Sequence, residues 1–418
     1  MRTTIGVFTA WVALHSLTVG VVAQTTAIRA GVLVSPEDGT SSRDQIVIVE
    51  GTRIVAVGPD VPIPAGATVI DLSDQVVLPG MVDAHTHMAL TMDRAAHGSY
   101  FVTTVVGSTA YRAIEAVANA RSMLEHGFTT IRDLGNSGNY GIADLVRAIE
   151  RGVVPGPTML DAGRIIAPYG GQLQLQPERR DLAEPEYAFA DTRDELVKAI
   201  RENIHYGASW IKVVVDDQPY VYSVDDIRFV VEEARRAGLR TAAHAVTERG
   251  FRNAAEAGVA SIEHGFEASD EALQIAKDNG VFLVGTDLMP LAAEMWEVDE
   301  AFRQGLIDRI RRAYRIGVPM AFGSDVFYSR PDRSRGEVSL MHLDPYVEAG
   351  LPNEKILRMI TVDSAELLGV GNERSRIEPG YAADIIATTG NPLEDIAALK
   401  GVTFVMKNGS LFRWDRKP

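Results

Sequence analysis

Residues 239–266 read LRTAAHAVTERGFRNAAEAGVASIEHGF. Two short, largely apolar runs, 239–246 and 259–266, flank the amphipathic stretch Glu248–Ala257. The runs lack the in-and-out alternation of a half-exposed strand, and the stretch between them carries its apolar residues at helical spacing. A strand buried on both faces, a helix and a second such strand make one unit of a parallel sheet with helices covering it. Each strand ends close to a histidine, His244 and His264.

The same unit recurs on both sides. VVLPGMVDAH (76–85) is the first strand, followed by FTTIRDLG (128–135), PTMLDAG (157–163) and ASWIKVVVD (208–216). After the pair already quoted come VFLVGTD (281–287) and VPMAFGSD (318–325), with helical stretches such as Asp225–Ala237 between most strands. Eight strand–helix units between residues 80 and 370 predict an α/β fold, a (β/α)8 TIM barrel, which typically takes about 250 residues. A doubly wound open sheet is the competing fold, but it calls for a Gly-rich phosphate loop after its first strand, and Pro79-Gly80-Met81 is not one. Residues 24–79 and 371–418 read differently, as short alternating runs broken by Gly, Pro and Asp-Gly, such as DQIVIVEGTRIVAVGP and VTFVMKNGSLFRW. That pattern predicts hairpins, and so one small sheet domain assembled from both chain ends. Residues 167–190 are long and aperiodic, which suits a binding loop or lid.

Composition narrows the function. Among 418 residues there is no Cys, which excludes disulfides, thiolate ligands and cysteine nucleophiles. A net charge of −15 argues against a nucleic-acid partner. Residues 1–23 carry one Arg, no acid and a largely apolar run, and Val21-Val22-Ala23 supplies small residues before Gln24. We read them as a signal peptide removed on export to a periplasm or the medium. The run is too interrupted for a lasting anchor, and no later stretch is long and apolar enough to span a bilayer, so no stable membrane insertion is expected after cleavage.

In this register six polar residues fall at strand C-termini: His85, His87, Lys212, His244, His264 and Asp325. That end of a barrel carries the active site. Four imidazoles and a carboxylate form a donor set for a borderline divalent metal, and His85-Thr86-His87 puts two of them on one side of an extended chain. Each alone is more simply a hydrogen-bonded structural residue, and Asp325 alone could be a helix cap. Their shared position favours the joint reading. His97, His126, His205 and His342 lack the pattern and are read as structural. Lys212 sits within Trp210–Val215, where an unpaired ammonium is expensive to bury. Either a carboxylate such as Asp216 or Asp217 pairs with it, or its neutral amine takes up CO2 and becomes a bidentate metal-bridging carbamate.

The run Pro79-Gly80-Met81-Val82-Asp83-Ala84-His85-Thr86-His87 resembles the opening motif of the amidohydrolase superfamily. Lys212, His244, His264 and Asp325 match the order of its binuclear members, and Arg376–Asp384 followed by Gly390-Asn391-Pro392-Leu393 resembles the return into its accessory β-sandwich. The chain is most similar to the imidazolonepropionase-like branch, with its metal-dependent Xaa-Pro dipeptidases (prolidases) and related carboxypeptidases. The resemblance implies a hydrolase with two divalent ions, expected to be zinc, and an N6-carboxylated Lys212. His85, His87 and Asp325 would hold the buried ion and His244 and His264 the outer one. Asp325 would be the general base and acid for a metal-bridging hydroxide attacking an amide.

The implied partner is a dipeptide or N-acyl amino acid with a free carboxylate; a homo-oligomer is left open. Where relatives carry Gly-Gly-His, this chain reads Gly170-Gly171-Gln172, so Gln172 becomes the candidate oxyanion donor. Tyr220, Tyr222 and Arg330, with Arg333, are candidates for the carboxylate. The alternative is a mononuclear deaminase or a cyclic-imide or lactam hydrolase, with Glu248, four residues after His244, as its acid. The ligand set predicts that purified mature protein carries about two equivalents of divalent metal. Elemental analysis giving a constant single equivalent in fully active protein would exclude the binuclear reading.

Overall fold

A computed structural model describes residues 25–93, 98–173, 175–328 and 330–415. The expected signal peptide, its cleavage point and His97 lie outside these residues. Among the described residues no helix is long and apolar enough to cross a membrane.

The first four strands, β1 (Thr25–Ser35), β2 (Thr40–Glu50), β3 (Arg53–Gly58) and β4 (Thr68–Pro79), come from the N-terminal end. Nine more follow: β5 (Met81–Thr86), β6 (Phe128–Asp133), β7 (Thr158–Asp161), β8 (Ile165–Ala167), β9 (Tyr187–Phe189), β10 (Trp210–Val214), β11 (Arg240–Ala245), β12 (Ser261–His264) and β13 (Phe282–Val284). The chain ends on β14 (Ile385–Thr388), β15 (Val402–Lys407) and β16 (Ser410–Trp414).

The two chain ends share one sheet, in the order β16-β15-β14-β4-β1-β2-β3. The joint is the antiparallel pairing of β14 with the end of β4, Ile385 opposite Pro79 and Thr388 opposite Val76. The sheet curls until Ile54 of β3 bonds Tyr381, just ahead of β14. It encloses Ile28, Val47, Ile54, Leu72, Val77, Ile385, Phe404 and Met406. The union of both ends is as read from the sequence. The sandwich is not seen as two separate layers, because every strand is hydrogen-bonded into the one sheet.

The central strands are parallel throughout, in two runs, β5-β6-β7 and β13-β12-β11-β10-β8-β9. Every residue of β5, β6, β10 and β12 is buried, as expected for strands covered on both sides. Two seams join the runs. Ser209 donates to the carbonyl of Asp161 (2.8 Å) across one, and residues 319–325 span the other. There Leu283 bonds Pro319 (2.8 Å), Ala84 bonds Phe322 (2.9 Å) and Asp325 bonds His85 (2.9 Å).

The expected eighth strand is thus a bridging segment with one ladder residue, Met320 opposite Leu283. Two residues account for this. Pro319 has no N–H to give to a ladder. Gly323 passes so close to its neighbours that an added Cβ would lie 2.4 Å from Val284 and 2.8 Å from His85. The 167–190 segment also departs from its reading: it adds a short 3-10 turn, Pro177–Leu182, and the edge strand β9, paired in parallel with β8.

One buried carboxylate ties the sheet to the parallel strands. Asp384, 1% exposed, accepts from Lys407 Nζ (2.9 Å), from Arg374 and from the Asn408 amide (2.8 Å). Its carbonyl accepts from Gly80 (2.9 Å), the residue just before β5. Burial lowers Lys407 to about 8, with Asp384 opposing that shift. Asp384→Ala leaves the buried Lys407 and the partly buried Arg374 without their anion, and removing one partner of a buried pair costs about 3–5 kcal/mol. The variant should show a lower urea midpoint, with the metal site of the folded protein unaltered.

Candidate metal centre and cavity

The C-terminal ends of β5, β10, β11, β12 and the 319–325 segment meet over one cavity of about 560 Å3. His85, His87, Lys212, His244, His264 and Asp325 all line it, so the six residues singled out at strand ends are brought together. Among the described residues, one group of donor atoms close enough for a single ion consists of His85, His87 and Asp325. His244 and His264 stand beside it, their rings 4.4 Å apart between centroids, with the His85 ring 5.3 Å from that of His264.

The orientation of the rings fits a cation. His85 Nδ1 donates to Glu263 Oε2 (2.8 Å), and His87 Nδ1 donates to the carbonyl of Gly135 (2.8 Å). Both Nε2 atoms therefore turn inward, 3.3 Å from each other and 3.5 and 3.2 Å from Asp325 Oδ1. That oxygen is buried and has no hydrogen-bond partner among the described residues. Three acceptors converging on one point, two of them imidazoles oriented from behind, make the arrangement a divalent metal requires. Burial opposes ionisation of Asp325, but His85, His87 and Lys212 outweigh it and hold the carboxyl at about 2. Burial pushes Lys212 down to about 8, against the pull of Glu263 and Asp325. Its neutral form is therefore within reach near neutral pH.

Behind His85 lies a wholly enclosed ion pair. Glu263 on β12 also accepts from Arg132 on β6 (2.9 Å) and from Ser261, and Arg132 donates to the carbonyl of Ala84 (2.6 Å) and lies over the Trp210 ring. Burial would raise Glu263, but Arg132 and then His85 overcome it and keep the carboxylate ionised, near 2. On the other side Asp83 bonds the Ser324 amide (3.1 Å) and hydroxyl (2.6 Å), fixing the approach to Asp325. Asp325 and His264 both have left-handed backbones, φ 52° and 72°.

The substrate-binding candidates divide. Gln172 lines the cavity, donating to Asp217 (2.9 Å) and accepting from the Tyr187 hydroxyl (3.0 Å). Tyr220, Tyr222 and Arg330 do not line it. The Tyr222 hydroxyl is turned into the core, donating to the carbonyl of Ala190. Tyr220 is exposed, and Arg330 pairs with Asp332 (3.1 Å) beside a separate surface hollow that Arg333 shares. Glu248, the acid of the deaminase alternative, is spent on the Ser269 amide (2.9 Å) and on Arg252 (3.1 Å).

Sequence reading missed much of the cavity wall. Phe266, Trp296, Phe302 and Phe327 make it aromatic, and Tyr100, Tyr328 and His342 add neutral polar groups. Among the described lining residues Lys212 is the sole Lys or Arg. Phe266 is the last residue of the run 259–266 and could have been singled out there; Trp296 and His342 follow no strand end and gave no signal.

The relay makes a direct prediction. Glu263→Gln should weaken divalent metal binding 10- to 100-fold, the usual cost of losing a partner that orients a ligating histidine. Titration of metal-free protein against a chromogenic chelator measures it; unchanged affinity at an unchanged melting temperature would make Glu263 a purely structural anion.

Residues 76–412 match the family model described as Amidohydrolase family. Ochratoxinase of Aspergillus niger is 27% identical, over 94% of this chain and 87% of its own. Imidazolonepropionase of Kosmotoga olearia is 26% identical, over 88% of this chain and 90% of its own. The crystal structure of a Xaa-Pro dipeptidase with methionine bound in the active site superposes with a TM-score of 0.83 at 28% identity, covering 93% of this chain and 100% of that one. With a match that takes in every central strand and all six strand-end residues, the chain belongs to the amidohydrolase family and is a metal-dependent hydrolase.

Proposed function

We propose that this enzyme hydrolyses the amide bond of a dipeptide or an N-acyl amino acid with a free carboxylate, using two divalent ions, zinc by preference. The observation that carries the reading is the convergence of His85, His87 and Asp325 on one point beside the buried Lys212. The names of the relatives, an ochratoxinase and a Xaa-Pro dipeptidase, support amide chemistry. The seam hydrogen bonds support an eight-membered βα ring, residues 80–370, with the sheet domain formed by 24–79 and 371–418. Residues 1–23 direct export.

In this reading His85, His87 and Asp325 would hold one divalent ion, His244 and His264 a second, and carboxylated Lys212 would be a ligand they share. Bound divalent ions acidify water and polarise a carbonyl. Asp325, held ionised, takes the proton of the attacking water and passes it to the departing amine nitrogen. Gln172, at the cavity's polar side, donates an N–H toward the carbonyl oxygen. Because the arginines expected to clamp the carboxylate are elsewhere, that group meets neutral donors, foremost the buried hydroxyl of Tyr328, which lacks a partner among the described residues. Closure by the aromatic side chains excludes water from the remainder of the substrate.

Lys212→Ala tests the reading. It should lose about 100-fold or more in kcat/KM together with metal. Short carboxylic acids, replacing the carbamate, should restore part of both. A variant retaining two ions and full activity on a panel of dipeptides and N-acyl amino acids would reduce Lys212 to a structural lysine.

A further inference from the structure

His342 is 3% exposed, caps the C-terminal end of helix Arg335–Met341 and forms part of the cavity wall. Its Nδ1 lies 3.0 Å from the carbonyl oxygen of Asp287. A carbonyl only accepts, so Nδ1 carries the ring proton and donates it. The other ring nitrogen, Nε2, is buried and has no hydrogen-bond partner among the described residues. Burial also pushes the ring down to about 4, which keeps it neutral at ordinary pH. Nε2 is then a fixed lone pair, and buried acceptors are rarely left unsatisfied without a functional reason.

The ring cannot easily turn away. Asp287 is itself paired with Arg309, both wholly buried, and the same guanidinium donates to the carbonyl of His264. His342 is thus braced by the frame that holds a strand-end histidine, while standing outside the His85–His87–Asp325 group. Its place in the wall, its fixed tautomer and its unsatisfied nitrogen together call for a hydrogen-bond donor on the substrate.

We propose that His342 Nε2 accepts the N–H of the scissile amide, making the enzyme selective for secondary amides over the tertiary amides of Xaa-Pro substrates. This rests on the amide-hydrolase reading above. In an N-acyl amino acid every oxygen of the carbonyl and carboxylate is an acceptor, and the N–H is the donor that all non-prolyl members share. An α-ammonium, present only in dipeptides, is better met by Asp217 and Glu267, the exposed acids of the cavity lining.

The test uses the metal-loaded enzyme, His342→Phe, and three probes: N-acetylphenylalanine, its N-methyl analogue and N-acetylproline. Wild type should favour the N–H substrate by about tenfold or more in kcat/KM, as for a buried acceptor left unpaired. His342→Phe should lose that preference while its metal content stays unchanged. Equal preference in both proteins, or wild-type preference for N-acetylproline, overturns the assignment of His342. Failure of the loaded wild type to cleave any probe or any member of the dipeptide panel overturns the amide-hydrolase reading instead. Nitrogen-15 spectra of the histidine rings in the wild-type protein give an independent reading: Nε2 of His342 should be unprotonated at neutral pH, and a protonated Nε2 excludes it as the acceptor.

Discussion

Glu263 is a carboxylate with no access to solvent, and the metal centre depends on its staying ionised. Three donors reach it from three places in the chain: Arg132 on β6, Ser261 on its own strand and His85 on β5. An isolated carboxylate at that depth would take up a proton; here the guanidinium and the imidazole make ionisation the cheaper state. Once ionised it sets the tautomer of His85 and aims Nε2 at Asp325. Arg132, anchored on the carbonyl of Ala84, connects the same pair to the backbone of β5. The parallel strands and the ligand geometry are therefore stabilised by one network, and neither can shift without disturbing the other.

Around this core the backbone is bent where the chemistry is. His264, Thr286, Asp325 and Asp217 all have positive φ at or just beyond strand ends. Non-glycine residues adopt that conformation at a cost, and it persists because surrounding bonds over-determine it. Asp325 donates its amide to His85, Ser324 is held by Asp83, and the Thr286 hydroxyl bonds His264 Nδ1 (2.8 Å). Each turn points a side chain back over the end of its strand instead of along it, which is how residues from distant strands face one centre.

The cavity beyond the ligands has a different character. Phe266 and Phe302 meet edge to face, as do Trp296 and Phe327, and the latter also abuts His87. Such a wall suits an apolar or aromatic ligand group and strengthens the electrostatics of the groups beside it by keeping water out. Charge at the rim is acidic, from Asp217 and Glu267. Deeper in, burial keeps Tyr100, Tyr328 and His342 neutral.

The sequence by itself determined the parallel α/β core, the joining of both ends in a separate sheet and the residues at the strand ends. These are properties of local pattern: apolar continuity marks a strand covered on both sides, and its last residue marks the functional end of the sheet. It could not specify that the eighth strand would be a bridging segment, since that follows from how closely Gly323 passes Val284 and His85. Nor could it separate Tyr222 from Tyr328, both loop tyrosines, one turned into the core and the other into the cavity. The Arg132–Glu263–His85 relay and the unsatisfied nitrogen of His342 join residues more than 50 positions apart or hang on a single backbone carbonyl. Such contacts have no periodicity to betray them. They come into being only when the strands close around a dry interior, where the cost of an unpaired charge or lone pair decides which side chain faces which.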